Sequence, residues 1–395
     1  MLLTRLLVLS LLTVCSSLAA ADSRTVARCG RGWLELVDGA AVLHLKGSPY
    51  EMGFQHGALL KERVHSNLRN ILNRDQSEQI AKVGPFTLRP SDVIRTIISI
   101  QKPYVPEAFV AEMRGLADGA GLPLPDVQMA NFLPELFHCS GFALMNSATA
   151  DGTLYHGRVL DYAIDWGLQD HAVVIVAEPD DGIPFVNISY AGFIGCVTGM
   201  NARHVSIGEM GGGGVGLWAG MPMALLVRNL LERAETLDDA IRLFEHTPRT
   251  CQYFYVVADG KTNEAVGMEA SYGRFFVVRP GEAHELLPHP VKDCALLSAG
   301  ERYEELVRRV QSGHGTFTAE TALRLMDRPV AMSSNLHNVL FEPRSTRFWV
   351  AHASSDRRPA AEQPYQAFQL SALLARQPDT TSPEIPHVVA ASGQP

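Results

Sequence analysis

The spacing of hydrophobic and polar positions changes character at residue 139. Before it, residues 33–46 alternate and turn through Asp38-Gly39, which predicts a short hairpin. Gly47-Ser48-Pro49 then opens a helix, with Met52, Leu59, Leu60, Val64, Leu68 and Ile71 recurring near helical spacing. A second helical stretch covers 106–116 and is expected to stop at Gly119 and Gly121. Pro123, Pro125 and Pro134 make the approach to Cys139 loop-like. From there strand patterns dominate, at 139–147, 153–159, 172–177, 184–190, 196–200 and 204–208. Helices are predicted over 221–234 and 237–244, the second started by Thr236-Leu237-Asp238-Asp239. Strands follow at 252–258, 264–269 and 274–279, then helices at 298–311 and 319–326, then a last hairpin over 338–342 and 347–352. Blocks of strands set apart from blocks of helices predict an α+β protein of layered, largely antiparallel sheets. The proline-bearing tail, 376–395, is expected to be disordered.

Composition narrows the function. A chain of 395 residues that is 46% hydrophobic can bury a large core, as one big domain or two modest ones. Its net charge of −8 argues against a nucleic-acid partner, which would need a basic stripe. The richest basic cluster, 302–309, alternates with Glu301, Glu304 and Glu305 and reads as a solvated helix face. Arg5, the apolar run 6–14 and the small residues at 17–21 form the pattern of a secretory signal. The expectation is a signal peptide over 1–21 and a secreted or periplasmic product with no later membrane-spanning segment. Lipid anchoring at Cys15 is disfavoured by the bulky Val14 before it. Cys29, Cys139, Cys196, Cys251 and Cys294 then remain, an odd number in an oxidising compartment. One thiol is expected to stay free while some of the others pair. No CxxC or HExxH motif occurs, so no metal site is expected. Asn187-Ile188-Ser189 is a glycosylation sequon, meaningful only in a eukaryotic secretory path.

The chemistry centres on His138-Cys139-Ser140-Gly141-Phe142 and, downstream, Gly157-Arg158-Val159-Leu160-Asp161-Tyr162. Strand-like runs at 142–147 and 153–158, joined by Ala150-Asp151-Gly152, predict a hairpin that brings Arg158 and Asp161 near Cys139. A thiol beside a guanidinium and a carboxylate has the parts of an activated nucleophile. The plainer alternatives are a buried cysteine acting as a small hydrophobe and an Arg158–Asp161 ion pair across the hairpin. A histidine-assisted cysteine hydrolase is a third, although the local signature of the papain class is absent.

These motifs resemble the start of the mature chain in N-terminal-nucleophile hydrolases. The resemblance is to the group of acyl-CoA:6-aminopenicillanic acid acyltransferase, choloylglycine hydrolases and acid-ceramidase-like amidases. The segment from Gly47 to Gly57 is similar to the precursor region of the acyltransferase branch, and Gly199-Met200-Asn201 to a hairpin shared across the group. The resemblance implies a four-layer αββα sandwich and a precursor that cuts itself between His138 and Cys139. Residues 22–138 would become a small subunit and 139–375 the catalytic segment. The freed α-amine of Cys139 would be its own general base, Asp161 would orient that amine, and Arg158 would favour the thiolate. The Asn201 backbone N–H would help receive the oxyanion. The side-chain amide these families place nearby is missing here, where the sequence reads Leu287-Pro288-His289-Pro290. Asn335 is a candidate substitute or substrate contact. Gly211-Gly212-Gly213-Gly214 lacks the ending of a phosphate loop and is read as a loop bordering the substrate cleft. No cofactor is implied, and the partner expected is a small-molecule N-acyl amide, with hydrolysis predominant. The alternatives are an acyl-CoA-dependent N-acyltransferase and a non-catalytic exported binding protein on the same fold.

Overall fold

The computed structural model describes residues 22–77, 81–83, 86–132, 139–162, 164–213 and 216–387. The expected signal segment 1–21, and His138, lie outside the described residues. The N-terminal part supplies strands β1 (Ser23–Cys29), β2 (Gly32–Val37) and β3 (Ala40–Gly47), then helices α1 (Pro49–Leu59) and α2 (Lys61–Ser77). A small ribbon of β4 (Ala81–Val83) and β5 (Phe86–Leu88) leads to α3 (Pro90–Gln101), α4 (Glu107–Ala120) and α5 (Leu124–Asn131). After Cys139 come β6 (Ser140–Asn146), β7 (Gly152–Asp161), β8 (Ala172–Pro179), β9 (Phe185–Tyr190), β10 (Thr198–Asn201) and β11 (Val205–Gly213). Helices α6 (Met223–Arg233) and α7 (Leu237–His246) precede β12 (Gln252–Asp259), β13 (Glu264–Ser271), β14 (Phe275–Val278) and β15 (Cys294–Leu297). The chain ends with α8 (Glu301–Gly313), α9 (Ala319–Leu323), β16 (Asn335–Glu342), β17 (Arg347–His352), β18 (Gln366–Gln369) and α10 (Leu370–Leu374).

Two sheets stack face to face. The larger runs β1-β2-β3-β8-β9-β10-β11-β12-β13-β14, and the smaller β15-β6-β7-β16-β17-β18. All neighbours are antiparallel except β3 and β8. The sheets meet where β11 and β12 lie over β6 and β7, while α6 and α7 cover the outer face of the large sheet and α8 and α9 that of the small one. This is the expected α+β sandwich of four layers, αββα. Strand alternation explains the stacking: along β12, Tyr253 and Tyr255 pack toward the helices with Phe244, while Val256 faces Gly141 of the small sheet. Fully burying one such large apolar side chain contributes about 1.5–3 kcal/mol. A second cluster, Val174, Val176 and Ile188 against Val339, Phe341 and Phe348, fills the sandwich on the other side.

The N-terminal segment docks through two devices. Ser48 caps α1, with Glu51 reaching back to the Ser48 backbone N–H at 2.8 Å. Gly53 and Gly57 of α1 then face Gly115 and Gly119 of α4 so closely that a Cβ on Gly115 would lie 2.0 Å from the Tyr50 carbonyl oxygen. Gly119, read from sequence as a stop, is therefore a contact inside α4, which runs on to Ala120 and ends at the left-handed Gly121. Farther on, Arg228 of α6 pairs with Glu112 of α4 at 3.0 Å and with Glu232 at 2.7 Å, all buried.

Three other expectations change. Residues 376–387 do not form a loose tail: they lie along β1, with Arg28 N–H donating to the Pro383 carbonyl at 2.8 Å and Ile385 N–H to that of Arg28 at 2.8 Å. None of the five described cysteines is bonded to another; all are buried thiols. The sequon Asn187 is 1% exposed within β9, its amide donating to the Gly195 carbonyl, so the strand leaves it no room for a glycan. No helix among the described residues is long and apolar enough to cross a membrane.

Candidate active site

The predicted hairpin is there. Ser140 pairs with Val159 and Gly141 with Arg158, which sets Cys139 at the mouth of β6 beside the end of β7. The Asp161 backbone N–H donates to the Cys139 sulfur. Arg158 and Asp161 do not pair with each other, although both flank the thiol.

Arg158 is fully buried and its Nη2 reaches Glu209 Oε2 of β11 at 3.3 Å. Gly208 makes this possible, since a Cβ there would sit 2.5 Å from Arg158 Cγ. The Nε and Nη1 of Arg158 have no protein partner among the described residues. Asp161 is held from the other side. The guanidinium of Arg302, in the first turn of α8, donates to Oδ2, and the Met332 N–H donates to Oδ1 at 2.9 Å. Arg302 Nη2 also donates to the Cys139 carbonyl oxygen at 3.3 Å. Burial pushes the Asp161 carboxyl up to about 6, with Arg302 pulling it back.

The thiol is not the low-pKa group expected from its neighbours. Burial pushes Cys139 up to about 12. Arg158 pulls it down, but Glu209 and Asp161 push it up again, so the guanidinium's charge is largely spent on the carboxylate it pairs with. With the chain uninterrupted through 138–139, Cys139 is a neutral thiol at physiological pH.

The cleft over Cys139 has a volume of about 380 Å³ and is mainly apolar, with Met210, Phe254, Leu286, Leu287 and Leu297 in its walls. Gly211, Gly212 and Gly213 border it as expected, though as the last residues of β11 rather than as a loop. Ser298 and Gln252 are its polar groups.

Two predicted residues serve elsewhere. Asn201 closes the β10–β11 turn: its Nδ2 donates to the Leu231 and Ala234 carbonyls and its Oδ1 accepts from Arg203 and Val205. That turn lies at the opposite end of β11 from Met210, roughly 16 Å along the strand at ~3.3 Å per residue. Asn201 is a clamp between the turn and the end of α6, and the oxyanion role expected of it is withdrawn. Asn335 is opposite Asp161 in the β7–β16 register, but its Nδ2 donates to Leu160 O and Asn338 Oδ1 and its Oδ1 accepts from Ala361 N–H. It is fully buried with its amide occupied, so it does not reach a substrate. His289 turns outward to Glu304 at 3.3 Å and stacks on Tyr303. The segment 287–290 thus offers no side-chain amide to the cleft.

Glu209 and Arg302 were missed. Glu209 carried a signal, as a lone acid in the apolar strand 205–210. Arg302 carried none, being masked by the alternating charges of its helix.

Residues 147–286 match the family described as AAT, acyl-coenzyme A:6-aminopenicillanic acid acyl-transferase. The match falls in the acyltransferase group that the motifs resemble, and it begins downstream of Cys139. Protein dcd1B of Dictyostelium discoideum is 26% identical over 388 aligned positions, covering 87% of this chain and 76% of that protein. The N-acylethanolamine-hydrolyzing acid amidase of Cavia porcellus is 23% identical, covering 48% of this chain and 56% of the amidase, so the chain spans little more than half of that relative. Among solved structures, a Caenorhabditis elegans ortholog of the same amidase superposes with a TM-score of 0.42 and 16% identity, covering 52% of this chain and 93% of that one.

Proposed function

We propose that this protein is a self-processing amidohydrolase whose nucleophile is the thiol of an N-terminal Cys139, acting mainly by hydrolysis on N-acyl amides. The observation that carries the reading is the double hold of Arg302 on the Asp161 carboxylate and the Cys139 carbonyl oxygen. It fixes a carboxylate beside the main chain of Cys139, where a freed α-amine would stand. The amidase and acyltransferase relatives support the same class.

The steps follow from the groups present. In the precursor, the thiol would attack the His138 carbonyl, and the His138–Cys139 C–N bond would break to leave a thioester and a free α-amine. Water would then hydrolyse the thioester to release the thiol and the His138 carboxylate. That amine has an ordinary pKa near 8 and can take the thiol proton as sulfur attacks a substrate amide carbonyl. The C–N bond breaks, the ammonium returns its proton to the leaving amine, and an acyl thioester remains on Cys139. Water then attacks the thioester, the α-amine accepts its proton, and the thiol leaves with the carboxylic acid released. Asp161 orients the amine. Arg158, tied to Glu209, adds positive charge near the sulfur. An apolar cleft suits an apolar acyl group.

One observation favours a second reading, a non-catalytic binding protein: segment 287–290 gives the cleft no amide donor. Intact-mass spectrometry with iodoacetamide labelling separates the two. The enzyme reading expects two associated pieces beginning near residue 22 and at Cys139, with label on Cys139, and a single chain for Cys139→Ala. A wild-type protein that stays in one piece and hydrolyses no amide would end it.

A further inference from the structure

The cleft needs a donor for the oxygen that becomes negative when sulfur attacks a carbonyl, and one side chain is built for it. We propose that Gln252 donates its carboxamide N–H to this oxyanion, held in place by Glu269. The inference rests on the amidohydrolase reading above.

The strand geometry brings Gln252 into the cleft that holds the thiol. Val256 of β12 faces Gly141 of β6, its Cγ2 3.4 Å from where a Cβ on that glycine would stand. Two residues before Gly141, just ahead of β6, is Cys139, and two residues before Val256 on β12 is Phe254; both line the cleft. Gln252 is the next residue on the same face of β12, one pleat farther on, and it lines the cleft too.

The amide is also oriented. Gln252 Nε2 donates to Glu269 Oε1 at 2.8 Å. A carboxylate only accepts, so the NH₂ end of the amide must face it, and the assignment of nitrogen and oxygen is fixed by chemistry. The second N–H takes no protein partner among the described residues and is left for the cleft. Glu269 is itself immobilised, 1% exposed, with His284 Nε2 at 3.1 Å and Arg274 Nε at 3.4 Å on its other oxygen. A buried, triply held carboxylate gripping one half of a surface-facing amide leaves the other half pre-set for a ligand, which is what an oxyanion donor requires. Ser298, the other polar side chain of the cleft, already shares a 2.7 Å hydrogen bond with Ser140.

The test uses N-lauroyl p-nitroanilide as substrate and iodoacetamide as a probe of the thiol, with wild type, Gln252→Met, Gln252→Glu and Ser298→Ala. Gln252→Met is expected to lower kcat by about 10²–10³ with KM within a few-fold. Iodoacetamide labelling of Cys139 should not change, because displacement of iodide builds no oxyanion. Gln252→Glu should lose as much at neutral pH but recover part of its kcat as pH falls, since a protonated carboxyl carries an O–H donor and two adjoining carboxyls share a proton readily. Gln252→Met should show no such recovery. Full kcat in an active, folded Gln252→Met overturns the inference alone, as does labelling that falls in step with kcat, or a loss that follows Ser298→Ala instead. A wild type that neither hydrolyses the anilide nor labels at Cys139 overturns the amidohydrolase reading, and this inference with it.

Discussion

Replacing Arg302 by methionine keeps most of the side chain's length and removes the guanidinium that faces Asp161. The Asp161 side chain is fully buried and its carboxyl, ordinarily near 3.8, stands at about 6. The folded protein therefore holds the Asp161 proton more tightly than the unfolded chain does. Stability from this group is complete below pH about 4 and is lost as the pH rises through 6, by ~3 kcal/mol. Arg302 limits that loss. Without it the ionised carboxylate would be a buried charge short of its main partner, which costs about 3–5 kcal/mol, so the carboxyl rises further and the loss extends past neutrality. The signature is in the pH dependence: the stability gap between wild type and Arg302→Met should be small at pH 4 and widen to about 3 kcal/mol or more by pH 8. Urea unfolding followed by intrinsic fluorescence at pH 4, 6 and 8 measures it. The same change should move the acidic limb of the amidase pH profile upward, because Asp161 must be ionised to orient an ammonium. A gap that stays constant or narrows with rising pH would refute the assignment of Asp161 as the group Arg302 keeps charged.

Other outcomes follow from the same geometry. In the Cys139 protein before any cut, iodoacetamide labelling should rise about tenfold per pH unit up to about pH 11, and a plateau below pH 9 would contradict the buried, neutral thiol. Asn201→Ala should destabilise the fold by about 2–3 kcal/mol through its lost hydrogen bonds while leaving kcat of the folded enzyme near wild type; a selective loss of kcat would restore Asn201 to the site. Gly115→Ala should cost about 2–3 kcal/mol in chemical denaturation despite alanine's better helix propensity, because the added methyl meets backbone and neither helix can yield without moving.

What the sequence disclosed tracks how far apart the interacting residues lie. The β6–β7 hairpin was legible since both strands, their turn and their alternation sit in one short window, and its register followed. The large architecture followed as well, because strand and helix blocks are segregated along the chain. The ion pairs were not legible. Arg158 meets Glu209 across 51 positions and Asp161 meets Arg302 across 141, and each contact exists only once two sheets and a helix have stacked. Nearest-neighbour reading could therefore offer Arg158 no partner but Asp161, and only as the plainer alternative to both flanking the thiol. Asn201 misled for a related reason: its motif was matched, but where its hairpin turn falls relative to the thiol is set by the length of β11. The strands β4, β5, β15 and β18, of three or four residues each, offered too few positions for a period to emerge.

The parallel pairing of β3 with β8, from Val42 opposite Val174 to Gly47 opposite Pro179, joins the N-terminal segment to the rest inside one hydrogen-bonded sheet. A cut before Cys139 would fall between the two strands in sequence and leave their pairing untouched, so the folded molecule would keep its shape and its core. The unfolded molecule would not be the same. Before the cut, unfolding and refolding concern one chain and do not depend on its concentration. Afterwards, three strands of the large sheet would belong to a separate polypeptide, and refolding would become an encounter between two. Dilution would then disfavour the native state, and a fragment that lost its partner would carry β8 as a bare sheet edge. Scission would thus change the molecularity of folding while leaving the fold as it was.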